Sequence, residues 1–111
     1  MNAPSRAADA MVQFELTVAS ADGTRRTVRS GYFPHYRVRS DYLTSVLHQF
    51  IDAEEVSTGE TARANVWFLT PEAYPGCLWV GRVLEVAEST NIVGSATIVT
   101  IMNGTLQKQA Q

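Results

Sequence analysis

Residues 62–69 place an apolar side chain on every second position: Ala62, Ala64, Val66 and Phe68 alternate with Arg63, Asn65, Trp67 and Leu69. A period of two belongs to an extended strand, whose successive side chains point to opposite faces, and not to a helix, whose same-face neighbours are three or four apart. The pattern recurs. Phe14, Leu16 and Val18 alternate with Gln13, Glu15 and Thr17, and Tyr36 and Val38 alternate with Arg37 and Arg39. Residues 78–86 and 92–101 are rich in β-branched residues and are joined by Glu88-Ser89-Thr90-Asn91, which reads as a closing hairpin. Turn residues separate the segments at Asp22-Gly23, Gly31 to Pro34, Ser57-Thr58-Gly59-Glu60, Pro71, Pro75-Gly76 and Asn103-Gly104. Small side chains at Ala62 and Ala64 let a barrel interior close tightly at that end. One segment stays open. In residues 41–52, Leu43, Val46, Leu47, Phe50 and Ile51 have helical spacing with Asp41 as an N-cap, yet they also fit a strand covered on both faces.

A chain of 111 residues with 45% hydrophobic and 18% charged residues suits one globular domain with a real core. The expected organisation is a flexible N-terminal tail over 1–11, a β-barrel over 12–102 and a polar C-terminal tail over 103–111. Nine basic against eleven acidic residues, net −2, provide no general attraction to a polyanion or an anionic membrane. The arginines are nonetheless clustered. Arg25, Arg26, Arg29, Arg37 and Arg39 form a local basic group, read either as a solvated sheet edge or as a cationic patch. The single Cys77 precludes an intrachain disulfide and a cysteine-based zinc site, which points to a reducing cytoplasm. The N-terminal stretch has no apolar run of signal-peptide or membrane-helix length.

The central stretch Gly31-Tyr32-Phe33-Pro34-His35-Tyr36-Arg37-Val38-Arg39 resembles the Gly-Tyr-x-Pro-x-Tyr/Phe segment that opens the C-terminal β-barrel, the third domain, of elongation factor Tu. Gly31, Tyr32, Pro34 and Arg39 fall on that family's Gly-Tyr-Arg-Pro-Gln-Phe-Tyr-Phe-Arg pattern, whereas Phe33 and His35 stand where it carries arginine and glutamine. Ser57-Thr58-Gly59-Glu60 occupies the place of the family's Pro-Gly-Asp-like turn. Ile92-Val93-Gly94-Ser95-Ala96 resembles its final strand, where Gly94 would report close packing. The resemblance spans about four-fifths of the chain and implies an all-β fold, a six-stranded antiparallel Greek-key barrel, with residues 41–52 as a strand. It also implies partner-binding roles, because in the family this barrel holds the T-stem of aminoacyl-tRNA, meets the exchange factor and packs on the GTPase domain. No Gly-x-x-x-x-Gly-Lys-Ser/Thr loop is present, so GTP hydrolysis is not implied.

Chemistry-bearing residues are sparse. His35, His48 and Cys77 show no ligand spacing and no orienting third group, so no catalytic residue, metal site or cofactor is expected. The expected activity is binding, by a non-enzymatic module whose partner-binding residues are Tyr32, His35, Arg37 and Arg39. Aromatic and arginine side chains together suit a protein partner, although strand alternation alone would make Tyr32 and Tyr36 core members. The alternative is an RNA-binding accessory that keeps part of the T-stem surface. Replacement of the family's arginine by Phe33 weakens tRNA attachment in that reading.

Overall fold

The computed structural model describes residues 4–18, 24–40, 42–89 and 91–108. The Asp22-Gly23 turn and Asp41 as a cap lie outside these residues. Among the described residues eight strands form: β1 (Ala10–Leu16), β2 (Thr27–Arg29), β3 (His35–Arg39), β4 (Tyr42–Phe50), β5 (Glu55–Ser57), β6 (Thr61–Phe68), β7 (Val83–Glu88) and β8 (Asn91–Ile101). Six close into a barrel in the order β1-β6-β4-β3-β7-β8, with β8 pairing back to β1, and β2 and β5 make a separate two-stranded sheet. Every pairing between strands is antiparallel. β3, β4 and β6 are sequential neighbours, and the chain then returns through residues 69–82 to lay β7 beside β3. That return is the Greek-key connection.

Residues 42–50, whose spacing also allowed a helix, form a strand because both of its faces find cover. Thr44, Val46, His48 and Phe50 point into the barrel, while Leu47 on the outside is also buried. The interior is filled from every strand, by Val12, Phe14 and Leu16 of β1, Tyr36 of β3, Ala64, Val66 and Phe68 of β6, Leu84 and Val86 of β7, and Ala96 and Ile98 of β8. Gly94 is required where β8 crosses β1, since a Cβ there would sit 2.1 Å from the Glu15 carbonyl oxygen. Gly31 adopts φ 98° and turns the chain into β3, with its N–H donating to the His48 carbonyl at 2.9 Å.

Three boundaries differ from those read in the sequence. The strand expected over 78–86 begins only at Val83, because Gly81 at φ 92° makes a turn in which Arg82 N–H donates to the Trp79 carbonyl. β1 begins at Ala10, and Asp9 before it is buried. Residues 103–107 pack onto the barrel: Leu106 is fully buried, and Leu78 bridges in parallel to Gln107. Among the described residues there is one 3₁₀ turn, Pro71–Ala73, and no helix long and apolar enough to cross a membrane.

Candidate protein-docking face

Strand alternation sends Tyr36 inward and His35 and Arg37 outward on β3. The hydrogen-bonded register sets them beside Ser45 and Leu43 of β4, and β4 pairs Leu47 with Trp67 of β6. Residues 31–34 extend the same ladder, with His48 N–H donating to the Tyr32 carbonyl and Val46 N–H to the Pro34 carbonyl. Tyr32 therefore faces inward and Phe33 outward. The outer surface of β3, β4 and β6 thus carries an apolar row: Phe33, Leu43, Leu47, Trp67 and Leu69.

Leu69 is 65% exposed and Phe33 39% exposed, so these two members of the row are open to solvent, whereas Leu47 and Trp67 are buried. Leu69 separates two grooves. One, of about 230 Å³, is lined by Phe33, Leu47, Trp67 and the N-terminal residues Pro4 and Arg6. The other, of about 430 Å³, is lined by His35, Leu43, Ser45 and Tyr74. The edge of the first is pinned by a buried carboxylate. Asp9 accepts from Arg6 at 2.7 and 3.0 Å, from Asn103 Nδ2 at 2.9 Å and from the Phe68 N–H at 2.7 Å. Burial alone would raise the Asp9 carboxyl, but these donors outweigh it and hold the group below its ordinary range. Trp67 Nε1 donates to the Arg6 carbonyl at 2.9 Å, so the indole lies under the N-terminal segment and is buried.

The structure divides the four residues singled out from sequence. His35 and Arg37 lie on the outer face, and Arg39 is exposed at the end of β3. Tyr32 belongs to an aromatic cluster under that face, packing on Phe14 at 5.8 Å and on His48 at 5.7 Å between ring centroids. Its hydroxyl donates to Glu88 at 2.6 Å, and burial together with that carboxylate pushes the phenol well above its ordinary value. His35 Nδ1 lies 3.1 Å from Ser45 Oγ. Leu43 and Leu69 are outward members that the sequence reading did not take as partner-binding residues. The signal for them was the period of two itself, which puts Leu43, Leu47, Trp67 and Leu69 on the side opposite the core.

The arginine cluster is matched by glutamates. Arg25 meets Glu60 at 3.1 Å, Arg29 meets Glu55 at 3.0 Å, Arg37 meets Glu85 at 3.1 Å, and Arg26 bonds Glu88. Arg37 also donates to the Ser40 carbonyl at 2.7 Å. Exposed pairs of this kind add little stability, but they cancel local charge. Of the five clustered arginines, Arg39 alone has no carboxylate partner among the described residues.

His48 is fully buried, with Nε2 2.6 Å from the Tyr36 hydroxyl and Nδ1 3.1 Å from the Val46 carbonyl oxygen. A carbonyl only accepts, so the ring proton is on Nδ1 and Nε2 accepts from the phenol. Burial pushes this imidazole down to about 4. Both nitrogens are committed to the core. Burial likewise raises the Cys77 thiol, partly offset by Arg82, which leaves it a poor nucleophile. Among the described residues no group of three or more His, Cys, Asp or Glu could hold a metal ion.

No known family model matches the chain, and no curated protein shows significant similarity to it.

Proposed function

We propose that the protein is a non-catalytic binding module that docks another protein on the outer face of β3, β4 and β6. The observation that carries this reading is the contrast between Phe33 and Leu69, exposed beside buried Leu47 and Trp67, and arginines already matched by glutamates. Apolar and aromatic side chains flanked by arginine are what a protein interface buries at its centre and keeps at its rim. Phe33 and Leu69 are the anchors, Leu43 and Leu47 the floor, and His35, Arg37 and Arg39 the polar margin. Tyr32 supports the face from inside through His48 and Phe14.

A barrel like the third domain of elongation factor Tu is the parent we infer for this module, and a partner connected with translation or its regulation is the corresponding proposal. The closed six-stranded antiparallel topology, the positive φ at Gly31 and the close crossing at Gly94 are compatible with that parent. At Phe33 the family pattern carries arginine, so an ionic contact point has become an apolar one. The RNA-binding alternative relies on Arg25, Arg26, Arg29, Arg37 and Arg39. Four of these bond glutamates, which shrinks the counterion-release term that drives phosphate binding.

A photo-crosslinking amino acid placed at Leu69 tests the proposal in cell extract. A discrete protein adduct that disappears in the Phe33→Ser background is the expected result. Crosslinking confined to RNA would replace the proposal with the alternative.

A further inference from the structure

The chain has nine lysine and arginine residues. Five of them, Arg6, Arg25, Arg26, Arg29 and Arg37, bond carboxylates. Among the described residues the other four, Arg39, Arg63, Arg82 and Lys108, do not. Two of these four, Arg82 and Lys108, lie against one exposed tryptophan.

Trp79 begins the turn before β7, and two separate backbone anchors bring a cation against its ring. The first is the turn itself. Arg82 N–H donates to the Trp79 carbonyl at 3.1 Å, and Gly81 N–H ties the turn to Ile98 of β8 at 2.8 Å. The Arg82 guanidinium then lies 4.8 Å from the indole centroid, held by hydrogen bonds to the Val38 carbonyl at 2.7 Å and to the Cys77 carbonyl. The second is the C-terminal segment, where Lys108 N–H donates to the Leu78 carbonyl at 2.7 Å and the ammonium lies 5.2 Å from the same ring centroid. Arg39 follows Val38, whose carbonyl Arg82 holds, and is exposed at the end of β3. Around these charges Trp79 is 43% exposed and Val80 and Val83 are each 63% exposed.

We propose that this end of the barrel is a second contact surface that takes an acidic peptide segment with an apolar anchor. Carboxylates of the segment meet Arg39 and Lys108, and an aliphatic or aromatic side chain seats on Trp79 and Val80. Arg82 is a positioning residue, because its guanidinium is already spent on two carbonyls and the ring. Charge complementarity selects this occupant. The cations here without a carboxylate partner among the described residues are Arg39, Arg82 and Lys108, on a protein of net −2, with Glu85 two positions beyond Val83 on the same side of β7. A short anionic segment fits within that limit. A membrane plane or a polyphosphate backbone would extend past it onto acidic surface, where repulsion opposes binding.

The test is fluorescence anisotropy on the full chain, with a short labelled peptide carrying Asp and Glu around a central Leu-Phe pair. Its amidated counterpart, with Asn and Gln, phosphatidylserine vesicles and poly(U) are the comparison probes. We expect binding that strengthens as salt is lowered, at least about tenfold loss in Arg39→Gln/Lys108→Gln and in Trp79→Ala, and weaker binding of every comparison probe. The Phe33→Ser/Leu69→Ser variant is expected to bind the peptide as wild type does, so this result is separate from the fate of the β3-β4-β6 face. Absence of peptide binding, equal affinity for the amidated peptide, indifference to Trp79→Ala, or preference for vesicles or poly(U) overturns the proposal. Circular dichroism of each variant shows that the barrel is intact.

Discussion

The buried His48 makes the barrel's stability depend on pH in a window where few other groups titrate. Its native value is about 4 against an ordinary 6.5, so the unfolded chain takes up the proton first and folding weakens as pH falls from 6.5 towards 4. At pH 5 the solution is some 1.5 units below the unfolded value and still above the native one. At 1.36 kcal/mol per unit, His48 therefore costs about 2 kcal/mol of stability relative to pH 7.5. The perturbation is the double change Tyr36→Phe/His48→Leu, which removes the phenol and imidazole together and leaves the Val46 carbonyl without its imidazole donor, a loss that is the same at both pH values. Urea unfolding followed by tryptophan fluorescence at pH 7.5 and 5.0 reads the effect. Wild type should lose about 2 kcal/mol more than the double variant across that interval. His35 and the carboxylates are common to both proteins and cancel in the comparison. Equal pH dependence in the two proteins would refute a buried neutral His48.

Gly94→Ala forces a side chain against the Glu15 backbone, which cannot swing away, and should cost about 3 kcal/mol in urea unfolding, whereas Gly104→Ala, in open space, should change little. Asp9→Ala leaves the Phe68 N–H and the Asn103 amide without their acceptor and should destabilise by about 3 kcal/mol. The stability Asp9 contributes is present above its ordinary value near 3.8 and is lost as pH falls through its lower native value. In filter-binding titrations at two salt concentrations, tRNA should bind weakly, and Arg25→Ala/Arg29→Ala should leave the salt slope unchanged, since both arginines are matched by glutamates.

The barrel was legible because its inward and outward residues alternate so regularly. Ala62 to Phe68 and Phe14 to Leu16 give the core face directly, and Gly31 and Gly94 mark the turn and the close crossing. Residues 42–50 were ambiguous because the strand is covered on both sides, which blurs a period of two into an apolar run that a helix also satisfies. The candidate face was only partly legible. Period separated Tyr36 from Arg37, but Tyr32 precedes the regular strand, and its inward direction is set by the ladder it makes with His48. The arginine cluster stayed open between a solvated edge and a cationic patch because its neutralisation is long-range. Arg26 and Glu88, or Arg37 and Glu85, are far apart in sequence and meet only when β7 returns beside β3. The same distance concealed the Trp79 end, where Lys108 arrives on a segment that composition alone marks as a polar tail.

We propose that binding resides in the apolar row of β3, β4 and β6 and not in Arg25 and Arg29 in and beside β2. Quantitative affinity capture from cell extract tests this directly, with wild type compared with Phe33→Ser/Leu69→Ser and with Arg25→Ala/Arg29→Ala. We expect the specifically captured protein to be lost at least about tenfold in the Phe33/Leu69 variant and retained in the arginine variant. Retention in the first and loss in the second would contradict it.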